Sequence, residues 1–122
     1  MMQWLVIALG GSLGALARHA VVLACASCRG FPWGVLLANV SGCFVAGVLA
    51  ELTARPGVDP LWRLALSVGF LGAYTTFSAF SVDTVGLLLA GDWSRGLANA
   101  GANLALCLFA CALGIGVARS LF

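Results

Sequence analysis

Apolar residues fill four long stretches of the chain, about 3–24, 34–52, 61–90 and 97–118, and the polar residues gather mostly between them. Each stretch is long enough to cross about 30 Å of hydrocarbon, which takes roughly 20 helical residues. The pattern therefore predicts one all-α domain of four transmembrane helices over residues 1–122. The connections carry turn chemistry. Ser27-Cys28-Arg29-Gly30-Phe31-Pro32 separates the first pair, and Thr53-Ala54-Arg55-Pro56-Gly57-Val58-Asp59-Pro60 the second. Gly91-Asp92-Trp93-Ser94-Arg95 separates the third. Pro32 and Pro60 stand just before spans, where a missing N–H costs least. Trp4, Trp33, Trp62 and Trp93 lie near span ends, as interfacial aromatics do.

The third stretch departs from the others. As one helix, residues 61–90 would be about 45 Å long, beyond the hydrocarbon core. Its middle reads Gly69-Phe70-Leu71-Gly72-Ala73-Tyr74-Thr75-Thr76-Phe77-Ser78-Ala79-Phe80-Ser81. Glycines, adjacent β-branched threonines and serines are poor material for an uninterrupted helix. A break near Gly72–Thr76 is expected, against the alternative of a kinked but continuous helix. Non-helical backbone at membrane depth survives only where protein buries it or a watery cavity receives it. A break would thus point to function.

Composition strengthens the membrane assignment. Of 122 residues, 62% are hydrophobic and 8% charged, where soluble domains carry about 25% charged residues. Sixteen glycines suit close helix packing in lipid, where small residues let backbones approach. Gly10 and Gly14 form such a pair in the first span. The apolar segment Met1–Ala24 lacks a basic leader and a small-residue cleavage site, so it is read as a retained span.

All six basic residues are arginines. With alternating helices, Arg55, Arg63 and Arg119 fall on one side and Arg29 and Arg95 on the other, Arg18 being too deep to count. So even a balance gives almost no orientation preference under the positive-inside rule, which makes an antiparallel pair physically plausible. A net charge of +2 with scattered sites does not suggest nucleic acid. The five cysteines imply no disulfide framework, and Cys25-Ala-Ser-Cys28 has no second pair to complete a zinc site. They are read as small buried or interfacial thiols. No nucleophile–base pairing and no phosphate loop suggests an enzyme.

Deep polar residues are the candidates for function, since intramembrane polar groups are expensive and face a bundle interior or an aqueous path. They are Arg18 and His19 in the first span, Asn39 in the second, the Thr75–Ser81 run with Asp83 in the third, and Asn99 and Asn103 in the fourth. A lone Asn can equally be interhelical glue, and two Phe can be lipid-facing bulk. As a set, however, these residues are rich in donors and poor in acids, which suits an anion. Fluoride fits best, because a small, strongly hydrated ion needs tight amide and hydroxyl donors. Aromatic rings assist through their positive edges. Phe77 and Phe80, three apart, share one side of a helix.

The run Thr75-Thr76-Phe77-Ser78-Ala79-Phe80-Ser81 after Gly69-Phe70-Leu71-Gly72 resembles the Fluc (CrcB) family of fluoride channels. So do Asn39-Val40-Ser41-Gly42 and Gly10-Gly11-Ser12-Leu13-Gly14-Ala15-Leu16-Ala17-Arg18. The likeness covers essentially the whole chain. It implies an antiparallel, dual-topology homodimer in the cell inner membrane, with two pores that passively export fluoride and confer fluoride resistance. It further implies that Asn39 donates to the ion and that Phe77 and Phe80 line its path with ring edges. Thr76, Ser78 and Ser81 would form a polar track, and Arg18 a positive vestibule. A structural Na+ at the dimer centre would be held by backbone carbonyls at the third-span break, at Gly72 and Thr75. The chain departs from the family pattern at Ala73, Ala79, Cys107 and Asp83, where Gly, Thr, Ser and Glu are common.

Two rivals remain on sequence grounds. A small proton-coupled multidrug exporter of similar architecture would need a deep carboxylate, for which Asp83 is the only stand-in. A non-transporting membrane subunit would need neither a broken third helix nor the Phe pair.

Overall fold

The computed structural model describes residues 1–122 and contains helices without strands. Four helices are long and apolar enough to cross a membrane: α1 (Met2–Ala24), α2 (Trp33–Thr53), α3 (Pro60–Leu89) and α4 (Trp93–Leu121). The first three begin and end within a residue of the sequence expectation. The fourth begins earlier, so Trp93–Arg95 are helical rather than loop. The cause is local: the Asp92 carboxylate accepts from the Arg95 amide and caps the helix. Asp59 does the same for α3 by accepting from Leu61 N–H at 2.9 Å, with Pro60 in the first turn. Gly30, Gly57 and Gly91 take positive φ in the three connections.

Helix α3 is composite. After one α-helical turn, Leu64–Leu71 winds as a π-helix, a wider i→i+5 form that is rare and frequently found at functional sites. A short α-helical piece, Gly72–Tyr74, follows. Thr75 (φ −83°, ψ 152°) and Thr76 (φ −151°, ψ 116°) then adopt extended backbone, and helix resumes over Phe77–Leu89. The axis hardly registers this step, since the span bends by only 14°. Gly72 itself keeps helical dihedrals.

The helices pair unequally. Helix α1 packs chiefly against the π-helical part of α3, and α2 chiefly against α4, while the Phe77–Leu89 half of α3 leans on α4. The extended Thr75–Thr76 step is therefore where α3 changes neighbours. Gly14 explains how α1 comes so close: a Cβ there would collide with the Phe70 carbonyl, and one at Gly10 with the Ala65 carbonyl. This is the small-residue packing expected of the Gly10/Gly14 pair.

The interior is polar for its size. Asn39, Thr76, Thr84, Asn99 and Asn103 are buried, and Asn99 is completely so. Large apolar side chains such as Leu13, Val82, Leu89 and Phe109 point outward. That inversion is the arrangement lipid demands: polar groups turn inward to find partners and apolar ones meet the acyl chains. Every buried side-chain nitrogen and oxygen has a hydrogen-bond partner.

The salt bridges lie at the two ends, Asp92–Arg95 at one and Glu51–Arg119 at the other. Beside the second, Arg55 donates to the Phe122 carbonyl at 2.9 Å. Arg55 and Arg119 thus share one end of the bundle, as the alternation of spans requires.

Candidate functional site

Asn39 stands two turns into α2, facing the extended step of α3. Its Oδ1 accepts from the Thr76 amide at 2.8 Å, and its Nδ2 donates to the Thr76 carbonyl at 3.1 Å. One side chain thereby satisfies both ends of a residue that has left the helical ladder. A buried peptide with no such partner would cost about 1–3 kcal/mol per unmet group. Gly42, one turn along α2, permits the approach, because a Cβ there would collide with the Thr75 methyl.

The amide does not stop at Thr76. Asn39 Nδ2 also donates to Asn103 Oδ1 at 3.0 Å. Asn103 Nδ2 donates to the Asn99 carbonyl at 3.1 Å and to Asn99 Oδ1 at 3.0 Å. Asn99 Nδ2 donates to Thr84 Oγ1 at 2.9 Å, and Thr84 Oγ1 donates to the Phe80 carbonyl at 2.7 Å. A continuous chain of hydrogen bonds thus runs from α2 through α4 to the second half of α3. Chains of this kind polarise one another at low dielectric, and they fix the orientation of every member.

Alongside this chain lies a cavity of about 530 Å³. Asn39, Thr75, Thr76, Phe77, Phe80 and Asn103 line it with apolar residues of α4. The Phe77 and Phe80 rings sit 5.3 Å apart at 55° to one another. Phe77 is 79% exposed in the single chain, so one wall of the cavity opens sideways. Amide donors on one side, tilted rings on another and an apolar remainder make a lining suited to a small anion stripped of water.

Comparison with known proteins gives the family. The family described as "CrcB-like protein, Camphor Resistance (CrcB)" matches residues 5–115. The chain belongs to the CrcB family. Among similar CrcB proteins, the "Fluoride-specific ion channel FluC" of Sorangium cellulosum is 41% identical over 99% of this chain and 98% of its own length. That of Koribacter versatilis is 44% identical over 93% and 92%. That of Solibacter usitatus is 50% identical over 80% and 83%.

The remaining residues that sequence singled out in this CrcB chain, Ser81 excepted, lie along two further cavities. Arg18 and Ser78 share one with Thr76, His19 and Asp83, and Arg18 forms no salt bridge there. Thr76 lines both this cavity and the main one: its Oγ1 lies 3.1 Å from Ser78 Oγ and accepts from the Ala79 amide at 3.1 Å. Gly72 and Thr75 share the other cavity with Ser67 and Arg63. Ser81 keeps apart, its hydroxyl donating back to the Phe77 carbonyl at 2.8 Å.

Asn103 is the site residue that the motif reading left out. It lines the main cavity and holds the Asn39 amide, yet the sequence marked it only as one of two deep asparagines. The available signal was its spacing from Asn99, which put both amides on one helix face. What sequence lacked was the register between α2 and α4.

Proposed function

We propose that the protein is a fluoride-selective channel, lowering cytoplasmic fluoride by passive export and so conferring fluoride resistance. The observation that carries this reading is the Asn39–Asn103 amide pair on a largely apolar, ring-lined cavity, in a chain whose relatives bear the name of fluoride channels. Both N–H groups of Asn39 are engaged within the protein. Fluoride entering the cavity takes the N–H now given to Asn103 Oδ1. The exchange replaces a neutral acceptor with a charged one, and charge-assisted hydrogen bonds are roughly twice as strong. The edges of Phe77 and Phe80 supply the rest of the lost hydration. Thr76 and Ser78 carry the ion on toward Arg18, whose charge gives that end of the path a field that draws anions. Ser81 is the outlying member of this track.

The working form is an antiparallel homodimer in the cell inner membrane. The open wall beside Phe77 supports this reading, since a conduit leaking into lipid would not hold an unhydrated ion. A second copy seals it and brings a second pore. The extended step supports a structural Na+ at the dimer centre. The Thr76 amide, which would ordinarily close the helical turn onto Gly72, is taken by Asn39. The Ala79 amide, which would meet the Thr75 carbonyl, is taken by Thr76 Oγ1. The carbonyls of Gly72 and Thr75 are thus released from their usual partners, and oxygen dipoles of this kind suit a hard monovalent cation. Two from each copy would hold Na+ as a fixed counter-charge.

The reading is tested with purified protein in vesicles loaded with both halides. Fluoride leaves rapidly and chloride stays. Equal release of the two would remove the selectivity claim, and proton-driven uptake of an organic cation without fluoride release would favour an exporter. Crosslinking between cysteines engineered at opposite ends of the bundle tests the antiparallel pairing. Pairs formed only between like ends would overturn it.

A further inference from the structure

The main cavity has a second chemically active wall that fluoride conduction leaves unused. Cys43 lies one turn beyond Asn39 on α2, and Cys107 one turn beyond Asn103 on α4. Each thiol therefore stands next to the amide of its own helix, because residues four apart share a face. Both cysteines line the cavity, each one turn past a member of the hydrogen-bonded Asn39–Asn103 pair, and both are free thiols. Carboxylates are absent from this lining, so no oxygen anion competes for a hard cation. Two facing sulfurs in an apolar wall select soft, thiophilic metals instead.

We propose that Cys43 and Cys107 form a two-coordinate site for a thiophilic cation of the Hg2+ class, and that filling it closes the conduit. Two S–H bonds break, two S–Hg bonds form, and two protons leave to water, as metal binding by thiols requires. No group changes oxidation state. The product is neutral, so it adds no charge to attract or hold an anion. Its effect is steric: a fixed S–Hg–S bridge joins α2 to α4 one turn from the amide pair. The closing effect rests on the proposed function, whereas metal capture by the thiol pair does not.

The experiment uses the full chain in vesicles, with Cys25, Cys28 and Cys111 changed to Ser so that the pair supplies the only thiols. Hg2+ is added, unbound metal is removed with a chelator, and retained mercury and fluoride efflux are measured on the same sample. One mercury per chain is expected, with fluoride efflux at least tenfold lower and restored by excess dithiothreitol. Cys43→Ser and Cys107→Ser should each lose both tight retention and block, with Cys43→Ala and Cys107→Ala as second variants should Ser disturb assembly. Two mercury ions per chain, bound mercury with unchanged efflux, or block that persists in the single variants would each overturn the proposal. If untreated protein passes no fluoride, the channel reading fails on its own, and the mercury stoichiometry still decides the thiol site.

Discussion

Replacing Asn39 with Asp changes one group and touches three interactions. The acceptor oxygen facing the Thr76 amide is retained, so that hydrogen bond survives. The nitrogen that donates to the Thr76 carbonyl and to Asn103 Oδ1 becomes an oxygen. Two buried acceptors then face a third, and each unmet group costs about 1–3 kcal/mol. The stability loss is therefore expected at about 2–6 kcal/mol, enough to lower the thermal midpoint measurably. The effect on conduction is larger in kind. A carboxylate about 4 Å from fluoride repels it by roughly 4 kcal/mol at an effective dielectric constant of about 20. At about 1.36 kcal/mol per decade, that is on the order of a thousandfold. Fluoride efflux from vesicles, normalised to dimeric protein recovered by gel filtration, measures it directly. Efflux within tenfold of the unmodified protein would refute the claim that this amide adjoins the ion.

Further outcomes follow from the same geometry. Phe77→Ile and Phe80→Ile should each cut fluoride efflux at least tenfold with assembly intact, and normal efflux in both would mean that the rings only pack. Asn99→Leu removes the donor to Thr84 and one of the two acceptors of Asn103 Nδ2, at about 0.5–1.5 kcal/mol for each hydrogen bond lost. An unchanged thermal midpoint would contradict the linked chain. Gly14→Ala should destabilise by about 1–3 kcal/mol through overpacking against the Phe70 carbonyl. At Gly116, by contrast, a Cβ meets nothing within 4 Å, so Gly116→Ala should leave unfolding in detergent nearly unaltered.

Much of this molecule is legible in its sequence because lipid permits few solutions. A chain with 8% charged residues and four apolar stretches has little choice but to span as helices. The few polar residues left inside must then find one another. That logic led to Asn39 and to the Thr75–Ser81 run without any knowledge of packing. It could not give the register of α2 against α4, and so missed the grip of Asn103 on Asn39. Nor does anything in Leu64–Leu71 announce a π-helix. Leucine and alanine stand there with a serine, a valine, a glycine and a phenylalanine, and the widened turn becomes intelligible only where Gly69 meets the glycine face of α1. Poor helix propensity marks the two threonines as a weak point of the helix. Their conformation depends on a partner thirty-seven positions away, the Asn39 side chain that holds the Thr76 peptide. Ser81 carried the right chemistry for a polar track, but a hydroxyl on a helix bonds readily to the carbonyl one turn back, and here it does so.

The measurement that bears most directly on the account is the reversal potential of the purified protein in a planar bilayer, with opposing fluoride and chloride gradients. If a cavity of amide donors and ring edges selects the ion, the potential follows the fluoride gradient and ignores the chloride gradient. A reversal potential that shifts equally with either halide would contradict that selection.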